Sequence, residues 1–184
     1  MNIGKTVIAL AVASLLWGSS VVAEEPFGNK DSVSYANNLW SFMVEHKLAG
    51  NDSIMTRPYT GAPPHGMILE LIEQKATLMG VSGELVVKRN YGGDGLTIDD
   101  VINSPGKYLQ AVTVMFQREE GYDSDNKNWF YAKYAPDGSL MNNPKGIPLA
   151  GRVAKGMPTG CIACHKAAGG GDYIFNHDRY NKMQ

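Results

Sequence analysis

Cysteine is scarce in this chain: 184 residues hold two, and both lie in the last quarter. Basic blocks are missing too. Lys and Arg are scattered, the formal charge is −1, and no stretch carries the electrostatic footprint of a nucleic-acid binder. Internal repeats and low-complexity tracts are absent, which excludes a solenoid or a disordered scaffold. Long apolar runs are also lacking. The longest, Val7 to Trp17, is short for a membrane span. It follows Lys5 and precedes Ser19-Ser20-Val21-Val22-Ala23, the order of a secretory signal with small residues at the cut. Cleavage after Ala23 is expected, leaving residues 24–184 as one domain without a stable span; an uncleaved anchor is the alternative.

What the chain does have is concentrated at Cys161-Ile162-Ala163-Cys164-His165. Two thiols three positions apart, followed at once by histidine, match the attachment pattern of a c-type haem. The thiols would add across the two haem vinyl groups, and His165 would take one axial position on the iron. A redox dithiol and a zinc site are the competing readings. The first wants a βαβ context, and the second wants four ligands where no second cysteine pair exists. With both thiols used by haem, none remains for a disulfide. Bacterial haem c attachment takes place outside the cytoplasmic membrane, so the N-terminal signal and the motif agree on the periplasm.

Ahead of the motif, Val33, Ala36, Leu39, Trp40, Met43 and Val44 recur at helical spacing, with Asp31 or Ser32 as the cap and Gly50 as the stop. Most of these side chains read as core, with Trp40 or Met43 as a candidate haem neighbour. Ser53 to Gly66, with three prolines and His65, reads as an irregular loop that either lies over a site or simply connects. Met67 to Ile72 has strand character, Gln74 to Leu78 is ambiguous, and a turn falls near Met79 to Gly83. Gly83 to Tyr91 reads as a strand in which Lys88 shares a face with Glu84, Val86 and Asn90. A solvated lysine is the plain alternative, because valines occur on both faces.

Thr97 to Asp100 has capping-box spacing for a short helix ending at Ser104-Pro105-Gly106. Leu109 to Gln117 and Trp129 to Tyr134 read as two strands paired antiparallel, with Pro136-Asp137-Gly138 as a turn. Pro144 to Thr159 reads as a linker, and Asp172 to Phe175 as a segment that packs back on the domain. The fold expected is α+β and mainly β: an antiparallel sheet with peripheral helices and a C-terminal haem c attachment segment.

The order of these pieces resembles the cytochrome P-460 family, including the cytochromes c′-β. It is carried by Gly83 to Tyr91, Val112-Thr113-Val114-Met115, Gly121-Tyr122-Asp123, Asn128 to Tyr134, Pro136-Asp137-Gly138, Cys161 to His165 and Asp172 to Phe175. The resemblance implies a mostly β domain, a homodimer, and one covalent haem c held by Cys161, Cys164 and His165. In the enzymatic branch a strand lysine, matching Lys88 here, is joined to the porphyrin rim, and the haem oxidises hydroxylamine. In the c′-β branch the cross-link is absent and the haem binds gases such as nitric oxide. Both branches leave the iron's distal face open or held by exchangeable water.

The enzymatic branch also uses a distal acid and arginine. Here Glu70 is an available carboxylate, equally readable as a strand surface residue, and Arg57 lies in the loop before the first strand. Three functions follow as expectations. One is a haem oxidoreductase for hydroxylamine or a related small nitrogen compound, passing electrons to a carrier such as a small cytochrome c. The second is a nitric-oxide-binding protein. The third is an electron carrier, which would want a second protein ligand, with Met67, Met79 and Met115 as candidates.

Overall fold

The computed structural model describes residues 25–177; the expected signal segment lies outside them. Helix α1 (Lys30–Glu45) is followed by strands β1 (Tyr59–Thr60), β2 (Ile68–Leu78) and β3 (Val81–Tyr91). Two short helices, α2 (Ile98–Asn103) and α3 (Pro105–Tyr108), lead into β4 (Leu109–Gln117), β5 (Trp129–Tyr134), β6 (Ala150–Gly151) and the single-turn helix α4 (Cys161–His165). The six strands form one sheet in sequence order, every neighbour antiparallel. Short connections suffice for such a meander, because antiparallel neighbours need no crossover. The expected α+β, mainly β architecture is what forms.

The two faces of the sheet have different coverings. Helix α1 buries Tyr35, Ala36, Leu39 and Met43 against one face, where Leu85, Val87, Val112, Val114, Phe116, Phe130, Ala132 and Tyr134 form the larger core. The Tyr134 hydroxyl donates to the Ala36 carbonyl at 2.7 Å, which fixes the helix to β5. The C-terminal segment covers the other face, packing Val153, Ile162, Tyr173 and Ile174 onto Val86, Met115, Trp129 and Tyr131. With both faces of the central strands buried, β3 carries valines on each side, so its hydrophobic pattern alone does not mark an inside.

Several local expectations need correction. The N-cap of α1 is Asn29, whose side chain accepts from the Ser32 amide at 2.8 Å, rather than Asp31 or Ser32. Trp40 and Met43 lie on the α1 side of the sheet, away from the cysteine motif, and so are not haem neighbours. The ambiguous Gln74 to Leu78 stretch continues β2, since full pairing with β3 satisfies its backbone where propensity is silent. The supposed linker contributes β6, with Ala150 fully buried beside β5. The capping box at Thr97 and Asp100 forms as expected.

Candidate haem c site

Alternation along β3 puts Val86, Lys88 and Asn90 on the face opposite α1, as the period-two reading proposed. Adjacent strands add Leu71 and Glu73 from β2, Thr113 and Met115 from β4, and Trp129, Tyr131 and Lys133 from β5. Helix α4 docks on this face. One helical turn brings Cys161 and Cys164 to the same side, while Ile162 and His165 turn inward and are buried. Gly160 makes that approach possible: its φ is +122°, and a Cβ there would stand 2.3 Å from the Cβ of Ala154.

His165 Nδ1 donates to the Tyr173 carbonyl at 2.8 Å, so its Nε2 carries the free lone pair. Tyr173 sits at φ +73°, an uncommon conformation for a bulky residue. The flanking contacts hold it there. Trp129 Nε1 donates to the Asp172 carbonyl at 3.1 Å, and the Asp172 carboxylate accepts from the Ile174 amide at 2.9 Å. His177 then bridges two carboxylates, 2.5 Å from Asp172 and 2.6 Å from Glu73, tying the segment to β2.

Those bridges, led by the bond to Asp172, hold the His177 pKa above its ordinary value. A raised folded-state pKa means that the protonated ring favours the folded chain. Its contribution is therefore complete below about pH 6.5 and disappears as pH rises through the folded value. A His177→Gln variant is expected to lose that part of the pH dependence of melting, measured from about pH 6 to pH 9. An unchanged pH slope would deny the latch.

Burial pushes the Cys161 thiol up to about 11, opposite to the lowered pKa of an activated redox thiol. The two cysteines form no disulfide. Among the described residues no group of three or more His, Cys, Asp and Glu gathers as a metal site, which leaves the zinc reading without a ligand set.

The remaining side chains fit a large, partly polar aromatic group. Val86, Met115 and Ile162 supply apolar walls, and the rings of Tyr131 and Phe175 each stand 5.7 Å from that of His165. The Tyr131 hydroxyl and the Asn90 side-chain oxygen are buried without hydrogen-bond partners among the described residues. Burial lowers the Lys88 pKa, with Cys164 close enough to oppose the shift. Among the described residues neither Lys88 nor Lys133 forms an ion pair.

Two other expected participants lie elsewhere. Glu70 is completely buried on the opposite face, where Tyr91, Arg89 and Thr56 engage its carboxylate, and Arg57 is exposed. Of the candidate methionines only Met115 lines the haem face; Met67 and Met79 are exposed. Lys133 and Tyr131 were not singled out by sequence reasoning, although the alternation in Trp129 to Tyr134 already puts both on one face.

A β-sheet domain with a Cys-X-X-Cys-His helix docked on one face is a haem c-binding protein of oxidoreductase type, with one covalent haem and its iron. The model of the cytochrome P460 family matches residues 82–176, and the chain belongs to that family. No curated protein and no solved structure matches it. No described helix is long and apolar enough to cross a membrane.

Proposed function

We propose that this protein is a periplasmic haem c oxidoreductase that oxidises hydroxylamine or a related small nitrogen compound. In this reading it passes the electrons to a carrier such as a small cytochrome c. When bound, haem c supplies an iron that takes a substrate nitrogen and accepts electrons. The chain's own residues do the rest. Cys161 and Cys164 hold the macrocycle through thioether bonds, and His165 presents Nε2 as the proximal ligand. Tyr173 sets the tautomer of His165, and the Glu73–His177–Asp172 bridge keeps Tyr173 in place.

Lys88 carries the oxidoreductase reading. It shares the sheet face on which Cys164 and His165 dock, its amine is desolvated, and it has no carboxylate partner among the described residues. That is a suitable position for an amine joined to the porphyrin rim, where an added bond would distort the ring and alter the iron's electronics. Digestion of the holoprotein followed by mass spectrometry is expected to return a haem peptide that includes Lys88, and Lys88→Met is expected to abolish both that product and hydroxylamine turnover. A haem peptide confined to Cys161 to His165 would sink the cross-link.

A second reading is nitric oxide binding without turnover. It is favoured by Glu73, a carboxylate on the haem face that His177 holds at 2.6 Å and so does not leave free to move substrate protons. Sustained haem-dependent oxidation of hydroxylamine by the holoprotein, with an added electron acceptor, separates the two. The expected signal cleavage after Ala23 and the homodimer belong to the same proposal, and are read by N-terminal sequencing and sedimentation.

A further inference from the structure

The turn between β4 and β5 reaches under the haem attachment segment. Within it the Asp123 carbonyl accepts from the Asn126 and Asn128 amides, each at 2.9 Å, and the Asn128 side chain accepts from the Asp123 amide at 2.8 Å. These bonds close the turn around the Asp123 side chain, which has no exposed surface. Its carboxylate accepts from Asn126 Nδ2 at 2.9 Å and from Lys155 Nζ at 2.5 Å. Haem ligation uses neither residue, although Gly121-Tyr122-Asp123 is part of the sequence pattern that marks the chain.

Lys155 stands where the chain turns towards α4. Its neighbour Ala154 has φ +63° and lies against Gly160, and the Val153 carbonyl accepts from the Ile162 amide at 3.4 Å. The same turn holds the chain beyond α4. There the Asp125 carbonyl accepts from the Tyr173 hydroxyl at 3.4 Å, and the Tyr173 carbonyl accepts from His165. The β4–β5 turn thus grips the attachment segment on both sides of His165, with a buried ion pair as the inner hold. The carboxylate is also felt on the haem face. Burial, followed by Cys161, Tyr173 and Asp123 acting through charge, raises the Tyr131 pKa, and the Tyr131 ring is 5.7 Å from that of His165.

We propose that the Asp123–Lys155 pair sets the reduction potential of the haem iron, holding the attachment segment while keeping a buried carboxylate compensated beside it. Ferric iron carries one more positive charge than ferrous iron. An uncompensated anion nearby therefore favours the ferric state and an uncompensated cation the ferrous state, and burial strengthens either effect. Intact, the pair presents the iron with almost no net charge. Only the haem held by α4 is required, not hydroxylamine turnover, because a potential is read without substrate.

The test is a potentiometric titration of the full holoprotein at about pH 8, where an aspartate is ionised. Lys155→Met leaves the Asp123 charge unpaired and is expected to lower the potential. Asp123→Asn, which keeps one acceptor oxygen, leaves the Lys155 charge and is expected to raise it. Each shift is expected to change the reduction equilibrium roughly three- to tenfold, up to about 59 mV for one electron. Lys155→Arg keeps the charge and Asp123→Asn/Lys155→Met removes both, so these two are expected to stay near wild type. All four are expected to keep the wild-type ferric spectrum, since His165 remains the ligand. Opposite shifts from the two single changes are a signature of charge that a merely structural clamp does not give. Shifts of the same sign, no shift in either, or a lost His165-ligated spectrum overturns the proposal. If Asp123→Asn does not fold, Lys155→Met is compared with Lys155→Arg, and equal potentials overturn it. Hydroxylamine turnover by the same samples is a separate readout. Opposite shifts without turnover keep the role of the pair and remove the oxidoreductase reading, and turnover without shifts does the reverse.

Discussion

Replacing Cys161 and Cys164 together with serine is expected to remove both thioether bonds, so that acid solvent extraction strips haem that wild type retains. Either single replacement leaves one bond, because each thiol reacts with its own vinyl group. The double variant also isolates Lys88. Haem that stays with the chain in Cys161→Ser/Cys164→Ser, and leaves when Lys88→Met is added, measures the lysine bond alone. Complete extraction from the double variant would mean that α4 provides all the covalent attachment. Full retention in all these variants would contradict attachment through the motif. The fold is expected to survive the serine replacements, since Cys164 is exposed and Cys161 only partly buried.

The second large effect lies on the other face of the sheet. Glu70 is fully buried and its carboxylate accepts from Thr56 through the backbone amide at 2.6 Å and the hydroxyl at 3.1 Å. It also accepts from the Tyr91 hydroxyl and stands 3.3 Å from Arg89 Nε. Arg89 in turn donates to Ser53 at 2.6 Å and to the Ile54 carbonyl. The network thus fastens the loop after α1 to strands β2 and β3.

Removing one member leaves the other charge buried and unpaired, so Glu70→Ala or Arg89→Ala is expected to cost about 3–5 kcal/mol in denaturant unfolding. The double replacement Glu70→Leu/Arg89→Met, which removes both charges at once, is expected to cost less than the two single changes added together. Simple additivity would show that the two do not act as a pair. Because the network faces away from α4, loss of Glu70 is expected to change stability without shifting the haem spectrum of the folded fraction. A shifted spectrum would restore Glu70 to the site.

Glu70 also shows the limits of a strand pattern. From the sequence it was one carboxylate in an apolar run, readable as a surface residue or a distal acid. Neither reading holds, because its fate depends on Arg89, nineteen residues away, and on the loop at Thr56. Pairing partners of that separation are set by strand register, and a single strand's residues do not encode register. Lys88 was legible to a different degree. Alternation assigned its face correctly, yet only the docking of α4 on that face desolvates the amine that the strand pattern alone left readable as solvated. His65 was legible only as a loop residue, since the loop closure that places it, from the Gly61 amide to the Met67 carbonyl, comes from β1, β2 and β3 together.

The sequence by itself determined the covalent haem, since two thiols and a histidine at fixed spacing are local chemistry that needs no knowledge of the rest of the chain. It also determined a mainly β body, because alternation and turn residues act over a few positions. Tertiary structure alone decided which face of the sheet receives α4, which polar groups are sealed under α1, and that the His65 and His165 rings meet with their centres 5.9 Å apart. Those outcomes depend on contacts between segments far apart in the chain, and burial, not composition, selects among them.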